Sequence, residues 1–81
     1  MQIKPLRKDL EEYLNKHSLR RKWNKTKQLF EYDIRYPSLH TELLEPHWRG
    51  IYSFRLDKQY RTLFFIEKYK AEIVAITKHY Q

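Results

Sequence analysis

The C-terminal third of the chain, GIYSFRLDKQYRTLFFIEKYKAEIVAITKHYQ (residues 50–81), decides the fold. It contains three runs rich in Ile, Val, Tyr, Phe and Thr, at 51–56, 60–67 and 71–80, separated by short connectors that are mostly polar or basic. Residues of these types favour β-strands, and short polar connectors between such runs favour hairpins. The stretch therefore predicts a three-stranded antiparallel meander.

The lengths of the two connectors decide which side chains share a face of this sheet. If each is a three-residue loop, Leu56 pairs with Tyr60 and Glu67 with Ala71, so the alternation of side chains continues through both turns. One face is then a predicted core face: Tyr52, Phe54, Leu56, Tyr60, Thr62, Phe64, Ile66, Val74 and Ile76. The other face carries Ser53, Arg55, Arg61, Leu63, Phe65, Ile73, Ala75, Thr77 and His79.

Arg55 and Arg61 lie directly opposite each other on that second face. Two like charges at this spacing are unfavourable unless an anion lies between them, so the face is a candidate polyanion site. The alternative is that both arginines are solvated surface residues. The connectors contain no Gly to identify the turn types, and a four-residue first loop would move Arg61 to the opposite face.

Composition limits the classes of protein to which the chain can belong. A length of 81 residues predicts one domain, 1–81, with a small core. The absence of cysteine excludes disulfides and thiolate metal sites, and it is compatible with the cytoplasm, where we expect the protein. We expect no signal peptide and no membrane span. A formal net charge of +7 favours an acidic partner such as nucleic acid.

Two helices are predicted before the sheet. Leu6, Leu10, Tyr13 and Leu14 recur at helical spacing, which predicts an amphipathic helix over 5–16 with Pro in its first turn. Ser18 can cap a second helix that runs to about residue 33. Its apolar stripe comprises Leu19, Trp23, Phe30 and Ile34. Residues 1–4 could add a very short strand, which Pro5 would end at once.

The fold class is therefore α+β, with both helices on one face of a small antiparallel sheet. The segment 38–49 has little periodicity, and we interpret it as an ordered crossing segment, with a turn possible at its start. We assign Trp23 and Trp48 to packing, with RNA stacking as the alternative, because large aromatic residues of a small domain usually face its core. Tyr36 and Tyr52 are interpreted in the same way.

The chemistry open to these residues is limited. His17, His40, His47 and His79 show no metal-binding spacing, and there is no Gly-rich phosphate loop, so we expect no metal and no cofactor. Metal-free acid–base cleavage of RNA remains, because the 2′-OH of RNA can attack the neighbouring phosphorus. Such a reaction needs a base, a cation at the phosphoryl oxygens and an acid for the leaving oxygen. Glu42 or Glu45, Arg61 with Arg55, and His79 are suitable residue types.

The run ELLEPHWRGIYSFRLDKQYRTLF (residues 42–64), together with the terminal Lys78-His79-Tyr80, resembles the RelE/ParE toxin superfamily. It is most similar to the YoeB branch of ribosome-dependent mRNA interferases. That branch has a glutamate before a strand of the form Gly-x-aromatic-Ser-x-Arg, then an arginine before an apolar strand, and a terminal His-Tyr. Glu45 stands where this branch has a basic residue, which leaves both carboxylates open as the base.

The resemblance implies a role for each matching residue. Glu42 would be the general base, Arg61 would stabilise the phosphoryl group with help from Arg55, His79 would be the general acid, and Tyr80 would orient the RNA. We also expect RNA contacts from Arg20, Arg21, Lys22, Lys25, Lys58 and Lys78. For the helical residues of this set, a solvated helix face is the equal alternative.

The resemblance also implies partners. They are mRNA in the ribosomal A site and a cognate antitoxin that covers the site, for a toxin that is a monomer or a weak homodimer. The competing function is that of a ParE-like inhibitor of DNA gyrase, which has the same fold and is not a nuclease. A basic RNA-binding module without catalysis is the third possibility.

Overall fold

The computed structural model describes residues 1–78, which form two helices and a five-stranded mixed sheet around one core. The strands are β1 (Gln2–Ile3), β2 (Glu42–Leu43), β3 (Tyr52–Arg55), β4 (Tyr60–Glu67) and β5 (Lys70–Lys78). The helices are α1 (Lys8–Lys16) and α2 (Arg20–Tyr32), and Pro37–Leu39 and His47–Arg49 form single 3₁₀ turns. The α+β class is confirmed.

The sheet is wider than the predicted meander. Its strand order is β1-β5-β4-β3-β2, with β1 parallel to β5 and every other pair antiparallel. The short N-terminal strand is present, and it ends before Pro5, which has no N–H to donate. The crossing segment supplies β2, which we did not predict as a strand. It pairs with β3, and the N–H of Leu44 extends the ladder to the carbonyl of Ile51 at 2.8 Å.

The first hairpin has the predicted register. Arg55 pairs with Arg61, and the N–H of Leu56 donates to the carbonyl of Tyr60 at 3.0 Å. Asp57 organises the loop in place of a glycine, because its carboxylate accepts the N–H groups of Gln59 and Tyr60, each at 2.8 Å. A second carboxylate oxygen accepts the Lys22 ammonium of α2 at 2.8 Å. The loop is thus fastened to the helical layer.

The second hairpin differs from the prediction by one residue. Glu67 pairs with Lys70 across a two-residue turn in which Lys68 and Tyr69 both have positive φ, 50° and 65°. Positive φ at both central residues is typical of a type I′ turn, whose twist matches that of the paired strands. Here the turn forms without glycine. The predicted pairing of Glu67 with Ala71 is therefore wrong.

An irregularity in the ladder compensates for that shift. The partner of Leu63 is Ala75, whereas the partner of Phe64 is Ile73, so Val74 is an extra residue in β5. Arg61 consequently lies opposite Thr77, as predicted. Beyond the bulge the predicted faces of β5 are exchanged, so Ile73 is buried in the core. Ile66 of β4, predicted to be in the core, is 40% exposed. Val74 lies outside the core set, and its carbonyl accepts Arg7 Nη2 at 2.9 Å.

The two helices cover the face that carries the aromatic core. Phe30 of α2 lies 4.9 Å from Phe54 and 5.2 Å from Phe64 between ring centroids, and Trp23 stacks on Phe54 at 6.2 Å. Trp23 is buried as predicted, and the partly buried Tyr52 packs against the core. Burial of these rings holds the helices on the sheet, because large aromatic side chains supply much of the apolar area of a small core.

Four local predictions are wrong. Trp48 is 82% exposed rather than packed, because it lies on the 3₁₀ turn between β2 and β3, and Tyr36 is also exposed. Helix α1 begins at Lys8 rather than Pro5, because Arg7 before it has extended backbone angles. Ser18 does not cap α2: it has a φ of 56°, and Leu19 is the N-terminal cap residue without a side-chain bond. In the described part of the chain, neither helix is long and apolar enough to span a bilayer.

Asp57 provides a test of how the first hairpin is held. Partial burial opposes ionisation of Asp57, but hydrogen bonds from Lys22 and from two backbone N–H groups outweigh it, so its pKa is lowered from the ordinary 3.8. A lowered folded-state pKa stabilises the fold above the unfolded-state pKa, and this stabilisation is lost as the pH falls through the folded-state value. We expect Asp57→Ala to lower the free energy of unfolding at neutral pH by about 1–3 kcal/mol.

Chemical denaturation as a function of pH checks this expectation. The difference between wild type and Asp57→Ala should shrink below about pH 4, where the carboxyl of the unfolded chain is protonated. Asp57→Asn is the matched control, because its amide oxygen can still accept the backbone N–H groups, and it should be less destabilising. A loss of stability that is the same at acid and neutral pH would contradict the role of the charge.

Candidate functional site

The candidate site lies on the face of the sheet that the helices leave open, and Arg61 is at its centre. The Arg61 side chain extends from β4 and is only 16% exposed. Its Nη2 donates to Ser53 Oγ at 2.8 Å, to the His40 carbonyl at 3.2 Å and to Glu42 Oε1 at 3.3 Å, and its Nε donates to Ser53 Oγ at 3.3 Å. Three residues from two segments of the chain, 40–42 and β3, therefore orient one guanidinium.

The strand register explains how Glu42 reaches Arg61. Glu42 pairs with Ser53, and Ser53 pairs with Leu63, two residues from Arg61 on the same face of β4. The Arg61 side chain thus needs to lean only one step along the ladder to contact both Ser53 and Glu42. The Glu42 side chain is 62% exposed, so its carboxylate is open to a ligand. The structure brings together two of the residues predicted to be catalytic.

The hydrogen bonds of Arg61 leave part of the guanidinium available. A guanidinium carries five N–H donors, and the observed bonds use those on Nε and Nη2. Within residues 1–78, no acceptor lies in hydrogen-bonding position for Nη1. Arginine is suited to bidentate recognition of planar or tetrahedral oxyanions. Arg61 can therefore keep its protein contacts and still donate to a phosphate oxygen.

Arg55 adds a second positive charge to this face. It is exposed, lies directly opposite Arg61, and forms no ion pair or side-chain hydrogen bond with any described residue. The Glu42 carboxylate balances the charge of Arg61, whereas no carboxylate of residues 1–78 pairs with Arg55. An anion bound beside the pair would remove the repulsion between the two guanidinium groups.

Arg55 also lines a groove that continues from the site towards α2. The groove has a volume of about 440 Å³ and runs between α2 and the loop joining β3 to β4. Its basic rim comprises Lys22, Lys25, His40, Arg55 and Lys58, and Asp57 is its one acidic lining residue in the described chain. Leu29, Leu39 and Leu56 supply apolar wall. The basic rim of the groove is suited to a row of phosphate groups, and its apolar wall is suited to an apolar part of the same ligand.

The predicted basic set on α2 is divided between two sides of the helix. Lys22 and Lys25 point towards the groove, and Lys22 forms the ion pair with Asp57. Arg20 instead pairs with Glu11 of α1, beside a different pocket, and Arg21 is exposed. A single continuous ridge is therefore not formed. Lys58 is on the groove rim, and Lys78 is exposed at the end of β5, opposite Tyr60.

The two carboxylates differ in their surroundings. Glu45 is 88% exposed, and its observed contact is with His47 Nε2 at 3.6 Å, in the connection between β2 and β3. Glu42, by contrast, contacts Arg61. Of the two candidate bases, Glu42 is the one beside the guanidinium. His79 and Tyr80 lie outside the described residues, and their roles stay predictions.

Two residues of the site were not predicted as functional. Ser53 was assigned to the correct face, but its burial beneath the Arg61 side chain depends on the three-dimensional packing of β2. His40 contributes its backbone carbonyl from a left-handed conformation, with φ of 47°. The alternation that placed Ser53 beside Arg61 was a usable signal, whereas nothing in the sequence marks a backbone acceptor.

Among residues 1–78, no group of three or more His, Asp or Glu side chains could hold a metal ion.

Ser53→Ala tests whether the clamp on Arg61 is built as described. The substitution removes an acceptor that is 1% exposed and that receives two guanidinium N–H groups. We expect the free energy of unfolding to fall by about 1–3 kcal/mol, as for the loss of a hydrogen bond to a charged group. Thermal and chemical denaturation measure the change. Ser38→Ala, at an exposed position, is the control, and equal stability of the two variants would contradict the clamp.

No protein-family model matches the chain, and no curated protein matches it either.

Proposed function

We propose that this chain is the toxin of a type II toxin–antitoxin pair, an endoribonuclease that cleaves mRNA in the ribosomal A site without a metal ion. The observation that carries the proposal is the contact of Glu42 Oε1 with Arg61 Nη2 at 3.3 Å, with Arg55 paired directly opposite Arg61. A base next to a cationic phosphoryl site is the minimum that 2′-OH attack requires. We infer the substrate, mRNA on the ribosome, from the resemblance of residues 42–64 and 78–80 to the YoeB branch.

Glu42 acts in the first step. Its exposed carboxylate accepts the proton of the RNA 2′-OH while the 2′-oxygen forms a bond to the adjacent phosphorus. The contact of Oε1 with Arg61 fixes the carboxylate close to the place where the phosphate binds, so base and electrophile are positioned by the same guanidinium. Positioning of this kind lowers the entropic cost of reaching the transition state.

Arg61 and Arg55 act on the phosphoryl group. Negative charge builds up on the non-bridging oxygens as the phosphorus becomes five-coordinate, and cationic donors that are already oriented stabilise this charge without reorganisation. Ser53 and the His40 carbonyl hold Arg61 in place before substrate arrives. Arg55 is more exposed and provides a second positive charge from the opposite strand.

Departure of the 5′-oxygen completes the reaction. The bond from phosphorus to the 5′-oxygen breaks, and His79 donates a proton to that oxygen, which leaves a 2′,3′-cyclic phosphate and a 5′-hydroxyl. Tyr80 orients the RNA. These two roles rest on the resemblance. The cognate antitoxin would cover the site, and the toxin would act in the cytoplasm as a monomer or a weak homodimer.

A ParE-like inhibitor of DNA gyrase is the competing function. The contacts of Arg61 with Ser53, His40 and Glu42 would, in that case, be purely structural. The two functions differ in their products: only the nuclease generates RNA ends carrying a 2′,3′-cyclic phosphate. Gyrase inhibition by a chain that produces no such ends would favour the competitor.

Exchanging one carboxylate at a time tests the base. We expect Glu42→Gln to lower the rate of cleavage of ribosome-bound mRNA by about 10²–10⁴, the usual contribution of a general base. Glu45→Gln is the matched control and should retain wild-type cleavage, because Glu45 faces solvent away from Arg61. Primer extension on programmed ribosomes measures both rates.

The reverse result would contradict the assignment. If Glu45→Gln abolishes cleavage while Glu42→Gln does not, Glu45 is the base. If neither substitution changes the cleavage rate, neither carboxylate is the general base, and the proposed role of this segment is wrong. A thermal melt of each variant shows that the fold is retained, which we expect because both carboxylates are exposed.

The groove predicts a specific dependence on salt. Each phosphate neutralised by a lysine releases counterions, so loss of one such lysine should reduce the slope of log K against log salt by about 0.7 for single-stranded RNA. We expect this for Lys25→Ala and for Lys58→Ala, which lie on opposite walls of the groove. Lys8→Ala on α1 is the control. Fluorescence anisotropy with a 2′-O-methyl RNA oligomer measures the slopes, and three identical slopes would show that RNA does not follow the groove.

A further inference from the structure

Trp48 is a strongly exposed aromatic residue in the connection between β2 and β3, the strands that carry Glu42 and Ser53 of the candidate site. Its exposed fraction is 82%, whereas the other tryptophan, Trp23, is 3% exposed in the core. Tryptophan side chains are mostly buried in folded proteins, because exposure forfeits a large hydrophobic stabilisation. An exposed tryptophan on a basic chain therefore calls for a ligand that uses the ring.

The loop that carries Trp48 is ordered by its backbone. Trp48 lies in the 3₁₀ turn His47–Arg49, where the N–H of Arg49 donates to the carbonyl of Pro46 and that of Gly50 to His47, each at 3.1 Å. Gly50 ends the turn with φ of 66°, a conformation that most residues avoid. The chain then continues into β3, and the Leu44 N–H donates to the carbonyl of Ile51 just before that strand. The indole is held on a fixed support.

A cation already lies over the ring. The Arg49 guanidinium carbon is 5.8 Å from the centre of the Trp48 ring, within the range of a cation–π contact. His47 is the first residue of the turn, and Oε1 of Glu45, which precedes the turn, lies 3.6 Å from His47 Nε2. A flat aromatic ring beside a guanidinium is the combination on which unpaired nucleobases stack in proteins that bind single strands.

The position of Trp48 fits a strand of RNA that passes through the candidate site. The turn precedes Tyr52, at one end of β3, whereas Arg55 and the basic groove are at the other end, about 10 Å away along the strand. Glu42 and Ser53 lie between these two ends. RNA whose phosphates follow the groove and reach Arg61 would next approach the turn that carries the indole.

We propose that Trp48 is a stacking platform for one base of single-stranded RNA, on the side of the Glu42–Arg61 pair away from the basic groove. The proposal rests on the proposed function and extends it by naming a contact to the substrate. Charge favours a polyanion such as RNA as the occupant, because Arg49 and the net charge of +7 attract one. Stacking tolerates any base, so Trp48 adds affinity and positions the chain without setting the sequence preference.

Tryptophan emission provides a direct test, because only one of the two indoles is exposed. A 2′-O-methyl RNA oligomer, which lacks the attacking hydroxyl, is titrated into the wild type and into Trp48→Phe. We expect stacking to quench the wild-type emission and to leave that of Trp48→Phe unchanged, since Trp23 is shielded. Fluorescence anisotropy of a labelled oligomer gives the affinities.

Affinity should follow the size of the aromatic face. Trp48→Ala should weaken binding about tenfold, and Trp48→Phe should retain most of the affinity, because a phenyl ring also stacks. Tyr32→Ala is the matched control. Tyr32 is 83% exposed in the last turn of α2, where Glu31 Oε2 accepts the Ile3 N–H at 2.9 Å, at the opposite edge of the sheet. It should leave RNA binding unchanged, and all three variants should melt like the wild type.

Several results would overturn the proposal. They are an absence of RNA binding, binding without quenching of Trp48, and equal affinity of wild type and Trp48→Ala. Loss of self-association or of antitoxin binding in Trp48→Ala, with RNA affinity unchanged, would show that the indole contacts protein instead. Failure of the proposed function is separate: uncut ribosomal mRNA with quenching intact refutes the nuclease alone, and cleavage without quenching refutes the platform alone.

Discussion

The pairing of Arg55 with Arg61 across β3 and β4 is the constraint on which the candidate site depends. Two guanidinium groups at adjacent positions repel each other, so the fold must supply negative charge or leave that task to a ligand. It does so for one of them: Glu42, brought in by β2, contacts Arg61, while Arg55 remains without such a partner among the described residues. The half-compensated pair is a candidate site for an oxyanion.

The contacts of Arg61 satisfy its donors and would also serve the proposed chemistry. A guanidinium at 16% exposure needs acceptors, and Ser53, the His40 carbonyl and Glu42 provide them. The same contacts fix its direction, so that the Nη1 donors are oriented before a substrate binds. Such preorganisation is what distinguishes a catalytic cation from a flexible surface charge. The helical layer contributes at a distance, since the Lys22–Asp57 pair fastens the loop beside Arg55 to α2.

Much of this arrangement could be predicted from alternation along the strands. The first hairpin register follows from the length of its connector, and it correctly places Arg55, Arg61 and Ser53 on one face. The second hairpin could not be predicted, because the Lys68-Tyr69 turn adopts positive φ without glycine and the bulge at Val74 has no sequence signal. The one-residue shift of the second hairpin and the extra residue at the bulge cancel at Arg61, which has its predicted partner. They do not cancel at Ile73, whose predicted face is wrong. Strand β2, the clamp on Arg61 and the exposure of Trp48 are tertiary features, and local propensity does not encode them.

The most direct test of the central claim is chemical rather than mutational. Ribosomes carrying an mRNA with a single 2′-deoxynucleotide at the A-site cleavage position are compared with the all-ribose message, and the product ends are identified by mass spectrometry. The account predicts cleavage of the ribose message to a 2′,3′-cyclic phosphate and a 5′-hydroxyl, with no cleavage at the deoxy position. Equal cleavage of both messages, or an intact ribose message, would contradict it.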